Sequence, residues 1–271
     1  MTAEAPPQFP MPSSVYGPVR SWRLGSSLGI DLIVQSSICS FNCVYCQLGQ
    51  IQVVTREQKV YVPTDRVAAD LAAVDWAAVD VVTFSGSGEP TLALNIGEVI
   101  DLIHRQYGKP TMILTNATML RDAATRARVL ASDTISCKLD AADDVMLRRF
   151  NRAAEGVSHA DIVAGIRALR AEYNGRLALQ CMFMPMNIAQ AEEIAKLAAT
   201  LAPDEIQVNT PRRPYPKAWY LDSRGNHYGD APVDTVALKT ITEEQAEEVE
   251  RLMRHHNPGA EIVSVYRRAP K

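Results

Sequence analysis

The feature that most constrains this chain is a regular alternation of short apolar runs with helical patterns between Ile30 and Asn209. Ile30 to Val34 reads as a short apolar strand. Thr64 is placed to cap a helix carrying Val67, Leu71 and Val74 on one face, and Val79 to Phe84 follows as a β-branched strand. Asn95-x-x-Glu98 has the form of a capping box in front of Ile96, Val99, Ile100 and Ile103. Thr111 to Thr115 is the third strand, followed by a helix with Leu120, Ala127 and Leu130, and Thr134 to Leu139 is the fourth. Ser158-x-x-Asp161 opens a helix with Ile162, Ile166 and Leu169; Leu177 to Met184 is the fifth strand. Asn187-x-x-Gln190 opens another helix with Ile194, Leu197, Ala198 and Leu201, and Glu205 to Asn209 completes the series. Strands separated by helices imply right-handed crossovers and a parallel sheet. A doubly wound open sheet and a closed barrel leave the same trace, so the alternation alone does not choose between them.

Directly after the first strand comes Cys39-Ser40-Phe41-Asn42-Cys43-Val44-Tyr45-Cys46, a C-x3-C-x2-C cluster. Three thiolates on one short loop can reach three corners of a small inorganic cluster. A four-iron cube held by three cysteines leaves one iron without a protein ligand, where a small molecule can chelate. A structural zinc site takes four ligands, normally as two close pairs. Here the motif holds three, and no His or further Cys is near in sequence. The spacing favours an iron–sulfur cluster, with zinc the alternative.

Polar groups recur where the strands end. Ser85-Gly86-Ser87-Gly88-Glu89-Pro90 follows the second strand. Its glycines allow a close backbone approach, and Glu89 offers a carboxylate to an ammonium group, although a plain turn has the same composition. Asn116, after the third strand, is either a ligand contact or a helix cap. On the fourth strand Ser136, Lys138 and Asp140 share one face, and Ile135, Cys137 and Leu139 the other. Helices cover the apolar face, so the polar one points inward, where a lysine and an aspartate need partners. A lumen lysine is also competent to form a Schiff base, which nothing in the sequence selects. On the fifth strand Gln180, Met182 and Met184 share the inner face, so Cys181 joins Cys137 beneath the helices as a small hydrophobe. Cysteines therefore remain for one cluster only.

At 271 residues, 47% hydrophobic and 22% charged, the chain reads as a globular enzyme with a substantial core. A net charge of −3 gives no general attraction to nucleic acid, though it leaves RNA open. Pro6, Pro7, Pro10 and Pro12 mark an extended start without a signal-peptide core, and no run is long enough to span a bilayer. Five cysteines, three of them clustered, suit a reducing compartment, and the expected location is the cytoplasm. Arg20 and Arg23 are candidates for an anionic ligand or simply solvated surface. His104, His159, His227, His255 and His256 show no paired metal spacing. After Pro211 the chain turns proline- and aromatic-rich, then resumes with a helix capped by Thr242-x-x-Gln245 and a strand from Glu261 to Tyr266. Arg212, Arg213, Lys217, Arg251, Arg254, Arg267 and Arg268, with Tyr215, Trp219 and Tyr220, make this part either an RNA-stacking surface or a solvated basic flank.

The three cysteines with Tyr45 before the last of them, Val82 to Leu92, Leu114-Thr115-Asn116, Leu139 to Asp143 and Val208 to Pro214 together resemble the radical S-adenosylmethionine (radical SAM) superfamily. Within it they are similar to the bacterial and archaeal branch related to tRNA wyosine synthetase. The resemblance implies an open (β/α)6 partial TIM barrel at 25–210, an N-terminal extension at 1–24 and a C-terminal extension at 211–271 covering the barrel. It implies one [4Fe-4S] cluster on Cys39, Cys43 and Cys46, with SAM chelating the free iron. SAM contacts are expected from Tyr45, Gly86, Ser87, Gly88, Glu89, Asn116, Ser136, Lys138, Asp140 and Met182, the last beside adenine. Ser87 stands where the family usually has glycine. The implied chemistry is reductive cleavage of SAM to a 5′-deoxyadenosyl radical, with flavodoxin or ferredoxin as electron donor, and hydrogen abstraction from an RNA base or a small molecule. Wyosine synthetase itself carries a second cluster and a base-forming C-terminal segment, neither of which has a counterpart in this sequence. Two other readings stay open: an activase that places a glycyl radical on a partner protein, and a non-enzymatic iron–sulfur or zinc module.

Overall fold

The computed structural model describes residues 12–21, 25–225 and 233–267. Residues 1–11 of the proline-rich start, Arg23, His227 and Arg268 lie outside the described residues. Eight strands form one sheet: β1 Val15–Ser21, β2 Gly25–Ile30, β3 Val81–Phe84, β4 Thr111–Thr115, β5 Thr134–Lys138, β6 Arg176–Met182, β7 Glu205–Asn209 and β8 Glu261–Ser264. Their spatial order is their chain order, β1 to β8, with β1 antiparallel to β2 and every later pair parallel. A doubly wound sheet reverses its strand order at a switch point; this one never does, so it curls in one direction as a barrel wall. The end strands β1 and β8 do not pair with each other among the described residues, and the barrel stays open.

Helices α1 Thr64–Leu71, α2 Ile96–Tyr107, α3 Ala123–Val129, α4 His159–Glu172, α5 Ala191–Ala199 and α6 Glu243–His256 lie between or after the strands. Their apolar stripes and the outer faces of the strands make one core, which includes Ile100, Ile135, Ile166, Ile194 and Val249. Cys137 and Cys181 are fully buried in it, as the alternation of β5 and β6 requires.

Several expectations are corrected. The strand before the cysteines runs from Gly25 to Ile30 rather than from Ile30 to Val34, because Ser27 to Ile30 pair with Val81 to Phe84. Residues within the expected N-terminal extension join the sheet, since β1 pairs along β2. The C-terminal part likewise supplies β8 beside β7, and α6 packs near α5. The fifth strand ends at Met182 rather than Met184, and the final one at Ser264. Ser158 caps α4 and Thr242 forms a capping box with Gln245, as expected. Asn95 and Asn187 do not cap. Asn95 instead donates to the Val62 carbonyl at 3.0 Å, and Asn187 to the carbonyls of Asp140 and Met182, both at 2.8 Å.

Candidate functional site

The cysteine loop follows β2, and the segments after β3, β4 and β5 meet it at the C-terminal end of the strands, the end where a barrel of this kind carries its chemistry. The loop is anchored on both flanks by backbone. On one side Ile38 N donates to Ser87 O at 2.9 Å and Glu89 N to Ile38 O at 3.1 Å, so the glycine-rich segment pairs with the start of the loop. A β-carbon at Gly88 would lie 1.6 Å from Ile38 O, which explains the glycine there. On the other side Asn42 N donates to Asn151 O at 2.9 Å, Val44 N to Phe150 O at 3.0 Å and Ala154 N to Ser40 O at 2.8 Å. This second clamp is the π-helical turn Leu147–Asn151, which follows β5.

Within this frame the three thiols are buried or half-buried. Burial is the main reason each rises above the ordinary thiol range, Cys43 to about 12. Metal-free, they stay protonated; a bound cation reverses that preference outright. N–H donors surround the sulfurs. Phe41 N and Asn116 Nδ2 are each 3.4 Å from Cys39 Sγ, and Asn151 Nδ2 is 3.5 Å from Cys43 Sγ. Among the described residues no three Cys, His, Asp or Glu side chains are gathered around a point suited to one metal ion.

Two carboxylates organise the surroundings. Glu89, 2% exposed, accepts at Oε1 from Thr91 N at 3.0 Å and from the Thr91 and Thr115 hydroxyls, both at 2.6 Å. Its Oε2 accepts from Asn116 N at 2.6 Å. Burial raises this carboxyl above its ordinary range against the pull of those four donors. Asp140 accepts at Oδ2 from the Tyr45 hydroxyl and from Asn151 Nδ2 at 2.8 Å, and at Oδ1 from Met182 N at 2.9 Å. It thus ties the cysteine loop to β6 rather than pointing free into the lumen.

Lys138 does face inward, but its ammonium ends 3.2 Å from Gln180 Oε1 and 5.1 Å from the centroid of the Tyr45 ring, not on Asp140. Burial pulls its pKa down; the electrostatic pull of its neighbours, the Asp140 carboxylate first, more than offsets this, and the net shift is upward. A lysine held as ammonium is a poor resting nucleophile. Gln180 Nε2 continues to Gln207 Oε1 at 3.4 Å, so a polar row crosses β5, β6 and β7. Ser136 is buried on the same face, and its hydroxyl has no hydrogen-bond partner among the described residues.

Ser87, expected among the SAM contacts, turns its side chain to Asp31. It is fully buried, and its hydroxyl and N–H donate to Asp31 Oδ2 at 2.6 and 3.1 Å. Asp31 also accepts Ile33 N and Val34 N at Oδ1, and Arg224 reaches its Oδ2 at 3.1 Å from the C-terminal part of the chain. A β-carbon at Gly86 would sit 2.5 Å from the Asp31 carboxyl carbon, in a backbone with φ of +126°. Gly86, Ser87, Gly88, Glu89, Asn116, Lys138, Asp140 and Tyr45 are therefore gathered around the cysteine loop, with Met182 joined through its backbone.

Asp31, Asn151, Asn187 and Arg224 escaped the sequence reading. Asn151 sits in an irregular turn without periodicity, and Arg224 gains its role only through a contact spanning 193 residues. Asn187 had a signal, but its position before a helical pattern pointed to capping. The basic and aromatic tail is engaged internally: Arg213 donates to Gln47 at 2.8 Å, Arg212 to the Val265 carbonyl at 2.9 Å, and the Tyr220 hydroxyl to Asp222 at 2.8 Å.

A family model described as "Radical SAM superfamily" matches residues 33–198. The chain belongs to the radical SAM superfamily. The matched span of this radical SAM enzyme begins just after β2 and ends within α5. A UPF0026 protein of Synechocystis sp. is 44% identical over 228 residues, covering 82% of this chain and 86% of the relative. A UPF0026 protein of Methanocaldococcus jannaschii is 33% identical, covering 73% and 64% respectively. The fold is shared with TYW1 carrying a bound lysine–pyruvate adduct, at a TM-score of 0.61 and 13% identity over 86% of this chain and 75% of that one. It is shared also with Streptococcus suis SuiB bound to precursor peptide SuiA, at 0.62 and 15% over 90% and 50%. Membership implies SAM and an iron–sulfur cluster as cofactors, with a reductant to drive them. No helix among the described residues is long and apolar enough to cross a membrane.

Proposed function

We propose that Cys39, Cys43 and Cys46 hold one [4Fe-4S] cluster whose fourth iron binds SAM, and that this radical SAM enzyme abstracts hydrogen from a substrate at the barrel mouth. The observation that carries the reading is the donor set: three thiols on a doubly clamped loop with N–H groups aimed at sulfur, and the other two cysteines across the sheet. The donors fit a polynuclear cluster with thiolate corners better than a single zinc ion, which takes four close ligands. When bound, the reduced cluster supplies the electron that cleaves SAM to methionine and a 5′-deoxyadenosyl radical.

The chain's own groups bind and orient. Glu89 Oε2 has one protein donor and keeps acceptor capacity for the SAM ammonium. Gly86 and Gly88 keep the backbone close against the loop, and Ser87 holds that backbone through Asp31 rather than touching SAM. The Lys138 ammonium and the Ser136 hydroxyl offer donors to a carboxylate or ribose, and Asp140 fixes the Tyr45 ring and the Met182 backbone beside them. The surrounding barrel excludes water from the radical. The substrate class is an RNA base or a small polar molecule. The internal engagement of Arg212, Arg213 and Tyr220 favours the small molecule. A flavodoxin or ferredoxin is the donor class such a low-potential centre requires.

The test is anaerobic reconstitution of the full chain with iron and sulfide, then SAM and dithionite. Formation of 5′-deoxyadenosine supports the reading; zinc in the native protein, or no brown chromophore near ~400 nm, sinks it. Deuterium transfer into 5′-deoxyadenosine from labelled metabolites or RNA separates the substrate classes.

A further inference from the structure

Two side-chain amides touch the cysteine sulfurs, and both are fixed in orientation. Asn151, 1% exposed, sits at the end of the π-helical turn, with Nδ2 2.8 Å from Asp140 Oδ2 and 3.5 Å from Cys43 Sγ. Turning that amide over would set its oxygen against a carboxylate oxygen, so the N–H edge faces the sulfur. Asn116, 4% exposed, places Nδ2 3.4 Å from Cys39 Sγ and 2.9 Å from Ser40 Oγ. Its Oδ1 accepts Thr118 N at 3.1 Å and the Thr118 hydroxyl at 2.8 Å, which fixes that amide equally. The two asparagines come from different strand ends, after β5 and after β4, and approach different sulfurs.

We propose that Asn151 and Asn116 are positioning residues that raise the reduction potential of the cluster through N–H···S hydrogen bonds to Cys43 and Cys39. The inference rests on the cluster reading above. Reduction adds an electron whose charge spreads onto the thiolate sulfurs. A donor aimed at sulfur stabilises the reduced state more than the oxidised one, and hydrogen bonding to sulfur is one of the protein's established levers on cluster potential. Both amides are buried, where a hydrogen bond is electrostatically stronger than in water. The Asp140 link gives the Asn151 donor a fixed seat, so the donor belongs to the same unit that holds Tyr45 and Met182.

The test is an EPR-monitored redox titration of the anaerobically reconstituted full chain, wild type against Asn151→Leu and Asn151→Ser, without SAM. The midpoint moves to more negative values in both variants at unchanged iron and sulfide per chain. Midpoints equal to wild type with full clusters overturn the inference. Should the variants fail to assemble, the wild-type chain labelled with ¹⁵N at the asparagine side-chain amide decides. A ¹⁵N coupling to the reduced cluster in a pulsed EPR spectrum supports the proposal, and its absence overturns it. A wild-type chain that binds no iron removes the cluster reading and this inference together, an outcome distinct from a cluster with an unmoved midpoint.

Discussion

The five cysteines fall into two populations, three on one loop that are buried or half-buried and two in the sheet that are fully buried. Cys137 and Cys181 lie on the outer face of β5 and β6, packed among Ile135, Leu177 and Leu179 beneath the helices. Cys39, Cys43 and Cys46 lie on a loop with no regular backbone pairing of its own beyond the two-residue strand Ile38–Cys39. Burial lifts all five thiols above the ordinary range. What separates them is the company of donors. The loop sulfurs of Cys39 and Cys43 meet amide N–H groups, whereas the sheet cysteines are packed into the hydrophobic core. A buried cysteine is thus read by what its sulfur faces, not by how deep it lies.

The largest effect that tests this contrast is loss of the cofactor. Cys39→Ala, Cys43→Ala or Cys46→Ala abolishes iron binding and 5′-deoxyadenosine formation, while Cys137→Ala and Cys181→Ala keep both; iron, sulfide and product assays measure it. A variant of Cys137 that lost its iron would erase the distinction. Next in size is Glu89→Gln, which keeps the cluster but removes a charged acceptor from the proposed ammonium site. Losing a charge-assisted hydrogen bond of about 1.5–3 kcal/mol weakens SAM binding by about 10- to 100-fold in equilibrium dialysis.

Arg224→Met leaves Asp31 buried without its cationic partner, Arg224 and Asp31 being 7% and 1% exposed at the side chain. Breaking such a pair costs about 3–5 kcal/mol when nothing else supports the remaining charge. Here four N–H and O–H donors from Ile33, Val34 and Ser87 persist, so the expected loss in chemical denaturation is nearer ~2 kcal/mol. Asp31→Asn in the same chain recovers part of it. The smallest effect concerns the sheet cysteines. Cys137→Ala lowers stability by only about 1 kcal/mol. Because burial raises both sheet thiols, the neutral form persists through pH 7–9. Labelling of the two by a thiol reagent therefore stays slow and flat over that range until denaturant is added.

Much of this was legible from residue order alone. The period-two alternation of β5 and β6 put Cys137 and Cys181 under the helices and Lys138 and Gln180 inside, because side chains on a strand can only alternate. The closing direction of the sheet was not legible, since crossovers look alike in a barrel and in a doubly wound sheet. Strand β1 was missed because Gly17, Pro18 and the turn residues interrupt any apolar pattern in that stretch, and only pairing with β2 makes it a strand. At the site, residue types with a spacing were found, namely the cysteines, the glycines and Glu89. Residues whose role is a single long-range contact were not. Asn151 looks like any polar loop residue until Cys43, 108 positions away, is beside it.

The contact between Arg224 and Asp31 also bears on the order in which the chain can be completed. The two residues are 193 apart, and the carboxylate belongs to the support of the glycine-rich loop. A nascent polypeptide emerging from the ribosome exposes both cysteine loop and carboxylate long before the guanidinium exists. Strand β8, which extends the sheet at its far edge, is made later still. The glycine-rich loop therefore gains this brace only once residue 224 has been made, well after the three thiols.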